Sequence, residues 1–307
     1  MGVVSTGIEW CDETWNPVTG CDRTSTGCDH CYALTMAARL KLMGSANYQT
    51  DGDPRTSGPG FGVQCHPHML DQPLRWKRSR RIFVNSMSDL FHPDVPDDFI
   101  ECVFGVMARC PQHTFQILTK RTQRMKEFVS WGMRGGFVHW APVMDGVPGC
   151  TKMRAEDWPG WPLPNVWLGV SIENDTYSWR ANHLRDTPAA VRFISAEPLL
   201  GPLPSLDLTG IDWLIVGGES GPGARPMHPD WARQLRDRCL CAVHGDDCAC
   251  GRRVTAFHFK QWGEWSPPRL VDVGVHERFE PVRLGKHAAG RMLDGRTWDE
   301  YPAERAS

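Results

Sequence analysis

The stretch TWNPVTGCDRTSTGCDHCYA, Thr14–Ala33, places three cysteines close together just after the first predicted strand. Cys21, Cys28 and Cys31 follow a C-x6-C-x2-C pattern, and a glycine precedes each of the first two. Thiolate sulfur selects zinc, Cu(I) or iron–sulfur clusters over hard cations, so the pattern predicts a metal site. A cluster held by three cysteines leaves one iron open to a substrate or cofactor, whereas a structural zinc site closes with four ligands.

Three interpretations of this stretch stay open from the residues alone. The first is a cluster with an open iron, and the second is a closed zinc site that takes Cys11 as its fourth ligand. The third is that the thiols bind no metal. Cys11 lies in IEWCDETWNP, before the first strand, whereas the three cysteines follow that strand. This separation favours the cluster over the zinc site.

Length and composition are those of an ordinary globular protein, with 307 residues, 41% hydrophobic and 23% charged. The net charge of −2 excludes a global attraction to polyanions. Twelve cysteines without a signal peptide predict a reducing compartment in which thiols stay available to metals. No apolar run approaches the ~18 residues that span a bilayer, so we expect a cytoplasmic protein.

The chain from residue 81 onwards repeats one unit, an apolar strand that ends in polar residues, followed by a connection that is often helical. Strands that alternate with helices predict a parallel sheet. Polar residues at nearly all the carboxyl ends suit a barrel, whose active site forms there, better than a doubly wound sheet. We therefore predict an α/β fold, a full or partial parallel β/α (TIM-like) barrel. Its seven strands lie in TWNPVTG, RIFVNSMSDL, HTFQILTKR, NVWLGVSIE, VRFISAEPLL, DWLIVGGES and AFHFKQWGEW.

The predicted barrel occupies residues 1–265, with insertions near 132–164 and 239–253, and residues 266–307 form an irregular C-terminal cover. CYALTMAARLKLM is apolar on nearly every side, which predicts a helix buried by its neighbours. RWKRSRR places five cations immediately before a strand, at the end of a barrel opposite its active site. A solvated basic edge is therefore slightly favoured over a nucleic-acid contact.

The second insertion contains four further cysteines in two C-x-C pairs, with His244 between them. Four cysteines can close a tetrahedral zinc site, in which His244 is an alternative ligand. An auxiliary iron–sulfur cluster and solvated thiols are the other interpretations, and we prefer zinc to iron if a metal binds. The residues of this second metal site would be Cys239, Cys241, Cys248 and Cys250.

The cysteine stretch, followed by polar strand ends, resembles the radical S-adenosylmethionine (radical SAM) barrel enzymes. The chain resembles more closely a phage-associated, radical-SAM-like family without an assigned substrate, often found beside a three-Cys-motif partner protein. Its motifs fall within residues 8–265 and are WNPVTGC, GCDHCYA, LDQPLRW, RIFVNSMSDLFH, ISAEPL, GGESGPGARP and FKQWGEW. Two features depart from the commonest radical SAM pattern: the first interval is six residues instead of three, and His30 stands where an aromatic residue is usual.

The resemblance implies a cofactor pair. Cys21, Cys28 and Cys31 would bind three irons of a [4Fe-4S] cluster, and the methionyl amine and carboxylate of SAM would chelate the fourth. Electron transfer would cleave SAM to a 5′-deoxyadenosyl radical that abstracts hydrogen from the substrate. The expected substrate is a nucleotide, a nucleic acid or another phage-relevant molecule. The expected partners are an electron donor such as flavodoxin or ferredoxin, and a protein partner.

Strand order then assigns the cofactor-binding residues. The end of the second barrel strand would hold the methionyl amine, with Asp89 as its carboxylate. Short acceptors at later strand ends can receive ribose hydroxyl protons. Gly217 and Gly218 would let a ligand approach the backbone, or would serve a sharp turn. The remaining assigned residues are Asn85, Ser86 and Ser88 for the methionyl group, and Ser171, Glu173 and Glu197 for the ribose.

The catalytic side chains that we expect are Lys120, Glu219 and Lys260, each near the end of a predicted strand. Each strand-end acid has a structural alternative, a cap or an internal ion pair with Lys120, Arg121 or Lys260. Two rival functions also remain. One is a zinc-stabilised barrel that binds nucleic acid or a partner without redox chemistry, and the other is a non-radical SAM enzyme or lyase with a redox-inert cluster.

Overall fold

The computed structural model describes residues 7–133, 158–240, 255–266, 269–272 and 277–302. The helices are α1 (Tyr32–Leu42), α2 (Asp97–Ala108), α3 (Thr122–Met133), α4 (Arg180–Arg185), α5 (Pro229–Arg238) and α6 (Lys286–Ala289). The first strands are β1 (Glu13–Trp15), β2 (Val18–Thr19), β3 (Gln64–Cys65), β4 (Arg81–Val84), β5 (Thr114–Thr119) and β6 (Val166–Ser171). They are followed by β7 (Val191–Ala196), β8 (Trp213–Gly217), β9 (Ala256–Gln261), β10 (Arg269–Asp272) and β11 (Glu277–Glu280).

The fold is a mixed α/β fold with a seven-stranded sheet in the order β1-β4-β5-β6-β7-β8-β9. The pairs β1–β4, β4–β5, β5–β6, β7–β8 and β8–β9 are parallel. Each predicted strand is present, and each neighbours the next one along the chain. A doubly wound sheet would reverse its order at a switch point, which this order does not do. The sequential order is that of a β/α barrel sheet with β1 and β9 at its two ends.

The strands are apolar on both faces, as parallel strands covered by helices require. In β8 the side chains of Trp213, Leu214, Ile215 and Val216 are fully buried. β4 and β7 follow the same pattern, with an exposed or half-buried position only near the amino end. The apolar runs that the sequence shows therefore correspond to the core, and polar residues begin where the strands end.

The chain divides into two compact units. The first contains Met1–Thr24, Ala33–Val170 and His183–Val191. Within it, Phe128 of α3 contacts Phe91 and Phe104, with ring centroids 6.1 and 5.7 Å apart. α2 begins after Pro96 with two acidic residues in its first turn, which favours the helix dipole. β2 and β3 form a small antiparallel pair beside the cysteine stretch.

The second unit contains Ser25–Tyr32, Ser171–Asn182 and Arg192–Ser307. Its core is aromatic: Trp213 packs on Phe193 at 5.8 Å, and Phe257 packs on Trp298 at 5.7 Å between ring centroids. α5 starts with Pro229 in its first turn, and the ring of His228 accepts a hydrogen bond from a backbone N–H of that turn. The described part of residues 266–307 includes the β10–β11 hairpin and the short helix α6.

Helix α1 corrects one prediction. We expected it to be buried on all sides, but of its residues only Ala33 and Ala37 are buried. Tyr32, Met36 and Leu42 are 54%, 41% and 90% exposed. Two alanines four residues apart form a narrow face that lets the helix pack closely, while the larger apolar side chains lie outside it.

The basic run before β4 is largely paired with acids. Arg75 contacts Asp71 at 3.0 Å and Arg81 contacts Asp12 at 3.4 Å, and Arg80 is paired with Glu13. Lys77 and Arg78 are exposed. This pairing supports the interpretation of a solvated basic edge. Within the described residues, no helix combines the length and the apolar character needed to cross a membrane.

Candidate functional site

Cys21 is fixed by the backbone of the first unit. The preceding Gly20 has φ +85°, and a Cβ built on it would lie 2.1 Å from the carbonyl oxygen of Gly62. The N–H of Gly20 donates to the carbonyl of Met87 at 3.1 Å, and the N–H of Cys21 donates to Phe61 at 3.3 Å. Only glycine can occupy this position without moving backbone, so the glycine before the first cysteine is required by packing.

Arg121, just after β5, supplies a cation beside Cys21. Its Nη1 lies 3.2 Å from Cys21 Sγ and 3.1 Å from Asp89 Oδ2. Burial alone would lower the pKa of Arg121, but Asp89 and Cys21 outweigh it and raise that pKa. A guanidinium within hydrogen-bonding distance of a sulfur favours the thiolate, which is the form that binds metals.

Asp89, the expected ligand for the methionyl amine, is buried and fully hydrogen-bonded. Both of its carboxylate oxygens accept two hydrogen bonds, which uses the capacity of the group. The donors are Thr119 Oγ1 (2.7 Å), the N–H of Phe91 (3.0 Å), the N–H of Lys120 (3.2 Å) and Arg121 Nη1 (3.1 Å). Asp89 therefore joins the ends of β4 and β5 and orients Arg121, which favours the structural alternative.

Asn85 differs from the serines that follow it at the end of β4. Ser86 donates to Asn16 Oδ1 at 3.1 Å, and Ser88 donates to the carbonyl of Val18 at 2.8 Å. Asn85 accepts from the N–H of Val18 at 3.3 Å, but its Nδ2 is buried with no partner among the described residues. Its φ is +61°, a left-handed conformation. The Nδ2 of Asn85 is thus a buried donor that a bound acceptor atom would satisfy.

Asp22 and His92 are residues of this region that the sequence did not single out. His92 Nε2 lies 3.1 Å from Asp22 Oδ2, and Thr56 and Ser57 donate to the same carboxylate at 2.7 and 3.0 Å. Burial would raise the pKa of Asp22, but these hydrogen bonds and the nearby His92 hold it below its ordinary value. Asp22, the residue next to Cys21, is thus bound to the loop that contains Thr56 and Ser57.

The segment Ser25–Tyr32, which we call the Cys28 segment, belongs to the second unit. Glu173, just after β6, is fully buried and accepts a hydrogen bond from Ser25 Oγ at 2.6 Å. Its other oxygen accepts from Arg180 Nη1 at 3.0 Å. A Cβ on Gly27 would lie 2.4 Å from Glu173 Cγ, so this glycine is required by the close approach. Glu173, expected near the ribose, instead binds the Cys28 segment.

Glu219, expected to be catalytic, forms a bidentate ion pair with Arg225. Arg225 Nε and Nη2 reach the two carboxylate oxygens at 2.8 and 2.6 Å. Burial would raise the pKa of Glu219, but the hydrogen bonds from Arg225 outweigh it and hold the pKa below its ordinary value. Arg225 also donates to the carbonyl of Thr26 at 2.9 Å and lies 3.5 Å from Asp29. This pair therefore also binds the Cys28 segment.

The ends of β7, β8 and β9 form a second polar group within this unit. Lys260 Nζ lies 3.1 Å from Glu197 Oε1, and Ser195 donates to the other oxygen of Glu197 at 3.1 Å. A Cβ on Gly217 would lie 2.5 Å from Glu197 Oε1, and one on Gly218 would lie 2.0 Å from the carbonyl of Trp262. Both glycines are explained by close packing. Ser171 is buried, and its carbonyl accepts from Arg180 at 2.8 Å.

Four described cysteines lie in or near the predicted metal-binding stretch. Cys11, Cys21, Cys28 and Cys31 are all outside disulfides, and Cys11 is buried. Within the described residues, no three His, Cys, Asp or Glu side chains converge as ligands of one metal ion. A zinc ion would draw thiolates close together, with Zn–S distances of ~2.3 Å, whereas a cluster spreads its cysteines over several irons. Thiolate sulfur is a ligand of both zinc and iron–sulfur clusters, so the donor set fits either group.

The second predicted metal site lies mostly outside the described residues, which exclude Cys241, Cys248 and Cys250. Cys239 is buried at the end of α5 and donates to the carbonyl of Leu235 at 3.2 Å.

Arg180 and Arg225 are site residues that the sequence prediction missed. Arg225 stands inside the motif GGESGPGARP, six residues after the acid that it binds, and this spacing was its only signal. Arg180 follows Glu173 by seven residues, but nothing in the sequence shows that α4 returns it to the end of β6.

Comparison with known proteins gives one family and one weak structural likeness. The family model described as "Protein of unknown function (DUF5131)" matches residues 5–302. No curated protein matches the sequence. Among solved structures, a spore photoproduct lyase complexed with dinucleoside spore photoproduct is 11% identical, with a TM-score of 0.38, over 77% of this chain and 62% of that one. Likeness at this level indicates neither the reaction nor the substrate of this chain.

Proposed function

We propose that this chain, which belongs to the DUF5131 family, is an iron–sulfur enzyme of the radical SAM type. The observation that carries the proposal is the C-x6-C-x2-C stretch, whose first sulfur lies 3.2 Å from a buried guanidinium. Side chains near strand ends contact this stretch at Cys21, through Arg121, and again at Ser25 and Thr26, through Glu173 and Arg225. An ordinary surface loop would not need two buried acids and three arginines to fix it.

The residues fit the cofactors that the proposal requires. Cys21, Cys28 and Cys31 would hold three irons of a [4Fe-4S] cluster, leaving one iron for the amine and carboxylate of SAM. The unpartnered Nδ2 of Asn85 is a donor suited to an acceptor oxygen such as that carboxylate. When bound, the cluster and SAM supply one-electron chemistry: reductive cleavage of the sulfonium and abstraction of hydrogen from a substrate.

The protein's own residues orient and shield this chemistry. Arg121 donates to the sulfur of Cys21; with a cluster bound, this hydrogen bond would withdraw electron density from the ligand and favour the reduced state of the cluster. Asp89 orients Arg121 through one hydrogen bond, and three others hold Asp89 itself in place. Lys260 and Glu197 form the polar group that we propose faces the substrate, with Lys120 as a further candidate.

The substrate proposed is a nucleotide or nucleic acid, and the electron donor a flavodoxin or ferredoxin. The likeness to the phage-associated family adds a three-Cys-motif protein as a partner. Most cations of the basic run before β4 are already paired with acids, so we place no substrate contact there. Recognition of the substrate is instead assigned to the strand ends.

The test is anaerobic purification and reconstitution with iron and sulfide. We expect a brown protein with about four irons that releases 5′-deoxyadenosine from SAM when dithionite is added. Cys28→Ala should lose both the colour and the SAM cleavage. Cys65→Ala is the matched control, because Cys65 is also half-buried but lies in β3 outside the stretch, and it should retain both.

A colourless protein that binds stoichiometric zinc would contradict the proposal. It would support the rival function, a zinc-stabilised binding protein. Salt-dependent binding of DNA or RNA by the zinc-loaded protein would then identify its partner class. A brown protein that binds SAM without cleaving it would indicate a redox-inert cluster instead.

A further inference from the structure

The Cys28 segment is bound by two ion pairs that come from distant parts of the chain, one fully buried and one with a buried acid and a partly exposed arginine. It belongs to the second unit, although the residues on either side of it in sequence belong to the first. Its internal hydrogen bonds are few: the N–H groups of Cys28, Asp29 and Cys31 each donate to a carbonyl three residues back, at 2.9 to 3.3 Å. Such a short turn does not hold its own conformation, so its stability comes from its neighbours.

The first of these pairs is Glu173 with Arg180, whose side chains are 0% and 3% exposed. Further hydrogen bonds to its atoms offset part of the cost of burying an ion pair. Ser25 Oγ satisfies Glu173 at 2.6 Å, and the guanidinium of Arg180 lies 4.3 Å from the ring centre of Tyr177. Ser25 is the link between this pair and the Cys28 segment.

The second pair is Glu219 with Arg225, in which the carboxylate is 4% exposed. The planar guanidinium uses one edge for Glu219 and still reaches the carbonyl of Thr26 at 2.9 Å. A Cβ on Gly223 would lie 2.9 Å from the ring of His30, so this loop also packs on the segment's side chains. A lysine could not make these contacts together, because it lacks the planar fork.

We propose that the Glu173–Arg180 and Glu219–Arg225 pairs are positioning residues that fix the Cys28 segment before any metal binds, so that Cys28 and Cys31 are pre-organised as ligands. The unfolded chain rarely contains a preformed metal site, and ordering the ligands on folding removes the cost of ordering them from the binding step. The identity of the metal rests on the proposed function, but the fixing of the segment does not. The pairs reach the segment through Ser25, Thr26 and Asp29.

The test is hydrogen–deuterium exchange of the metal-free full chain, followed by mass spectrometry of the peptide that contains Ser25–Tyr32. Arg225→Gln and Ser25→Ala each remove one link, and Ser25→Ala leaves the Glu173–Arg180 pair intact. We expect exchange in this peptide to become about tenfold faster in Arg225→Gln and several-fold faster in Ser25→Ala. Arg233→Gln is the matched control, an arginine of the same unit paired with Asp294 away from the segment, and it should leave the peptide unchanged.

A peptide from α2 reports global unfolding in the same experiment. Unchanged exchange of the Cys28 segment in both variants overturns the proposal. It is also overturned if Arg225→Gln accelerates exchange equally in the Cys28 segment and in the α2 peptide while Ser25→Ala accelerates neither. A second readout uses the reconstituted protein, in which Ser25→Ala should broaden or shift the EPR spectrum of the reduced cluster at unchanged iron content. If wild type takes up no iron, the proposed function fails, while the exchange result still decides whether the pairs position the segment.

Discussion

Arg121 and Asp89 form an ion pair beside Cys21, with side chains 12% and 7% exposed. Removing one partner of such a pair leaves the other charged and buried, which costs about 3 kcal/mol or more. We predict that Arg121→Gln lowers the free energy of unfolding of the metal-free protein by about that amount, measured by urea denaturation.

The comparison is Arg55→Gln, which removes an arginine from an ion pair on the surface, where the Arg55 side chain is 87% exposed. Screening by water leaves such pairs with little net effect, so the urea midpoint should not move. Equal midpoints for Arg121→Gln and wild type would show that the buried pair does not stabilise the fold.

Asn85 makes a second prediction about a single residue. Its φ of +61° is easy for glycine and costs about 1 kcal/mol for a residue with a Cβ. Both Asn85→Gly and Asn85→Ala lose the acceptor for the N–H of Val18. We therefore expect Asn85→Ala to be the less stable by about 1 kcal/mol in denaturant, the reverse of the usual order of alanine and glycine. Alanine at least as stable as glycine would contradict the left-handed conformation.

The acids at the strand ends show what the sequence could and could not predict at this scale. That Glu173, Glu197 and Glu219 follow buried strands was visible in the sequence. Lys260, the partner of Glu197, was one of the cations considered for such a pair, but Arg180 and Arg225 were not, because they reach Glu173 and Glu219 only through the path of the folded chain. A catalytic carboxylate and a structural one have the same sequence pattern, and only the position of the neighbouring cation in the fold distinguishes them.

Helix α2 carries a cluster of acids with a consequence for pH. Burial, then the charges of Asp98 and Asp97, raise the pKa of Glu101 to about 7. A carboxyl group whose pKa is raised in the folded state binds protons more tightly there than in the unfolded chain. Its stabilising contribution is complete below about pH 4.5 and is lost as the pH rises through 7.

We predict that Glu101→Gln raises the melting temperature at pH 8 and changes it little at pH 4.5, so that the fall in stability between these values becomes smaller. Differential scanning fluorimetry between pH 4.5 and pH 8 measures the melting temperature of both proteins. Glu127→Gln, on the exposed face of α3, is the control and should keep the pH dependence of wild type. A parallel shift of the melting temperature at all pH values would contradict the assignment to Glu101.

The elements were predictable where burial and sequence period agree. Except for β1, which is only the three residues Glu13–Trp15, the strands of the large sheet are largely apolar runs with polar ends, and each lies in or overlaps a predicted strand. Helix α1 was mispredicted because apolar composition was taken for burial, whereas its packing face consists of Ala33 and Ala37. Strands β2 and β3 are two residues long, too short for any period to show.

At the scale of the whole molecule, alternating strands and helices predicted the parallel sheet and its sequential order. The division into two interleaved units was not predictable, since it depends on which distant residues the Cys28 segment contacts. The contacts of Ser25 with Glu173, and of Arg225 with both Glu219 and Thr26, place the Cys28 segment with the second unit. Local sequence pattern contains no information about such contacts.

The central claim is that three cysteines hold a cluster whose fourth iron is open to SAM. The most direct measurement is the EPR spectrum of the dithionite-reduced, reconstituted protein with and without SAM. We predict a signal from a reduced [4Fe-4S] cluster whose g values shift when SAM is added, because SAM becomes a ligand of the open iron. A cluster signal that SAM leaves unchanged, or a protein that holds zinc and gives no signal, would contradict the claim.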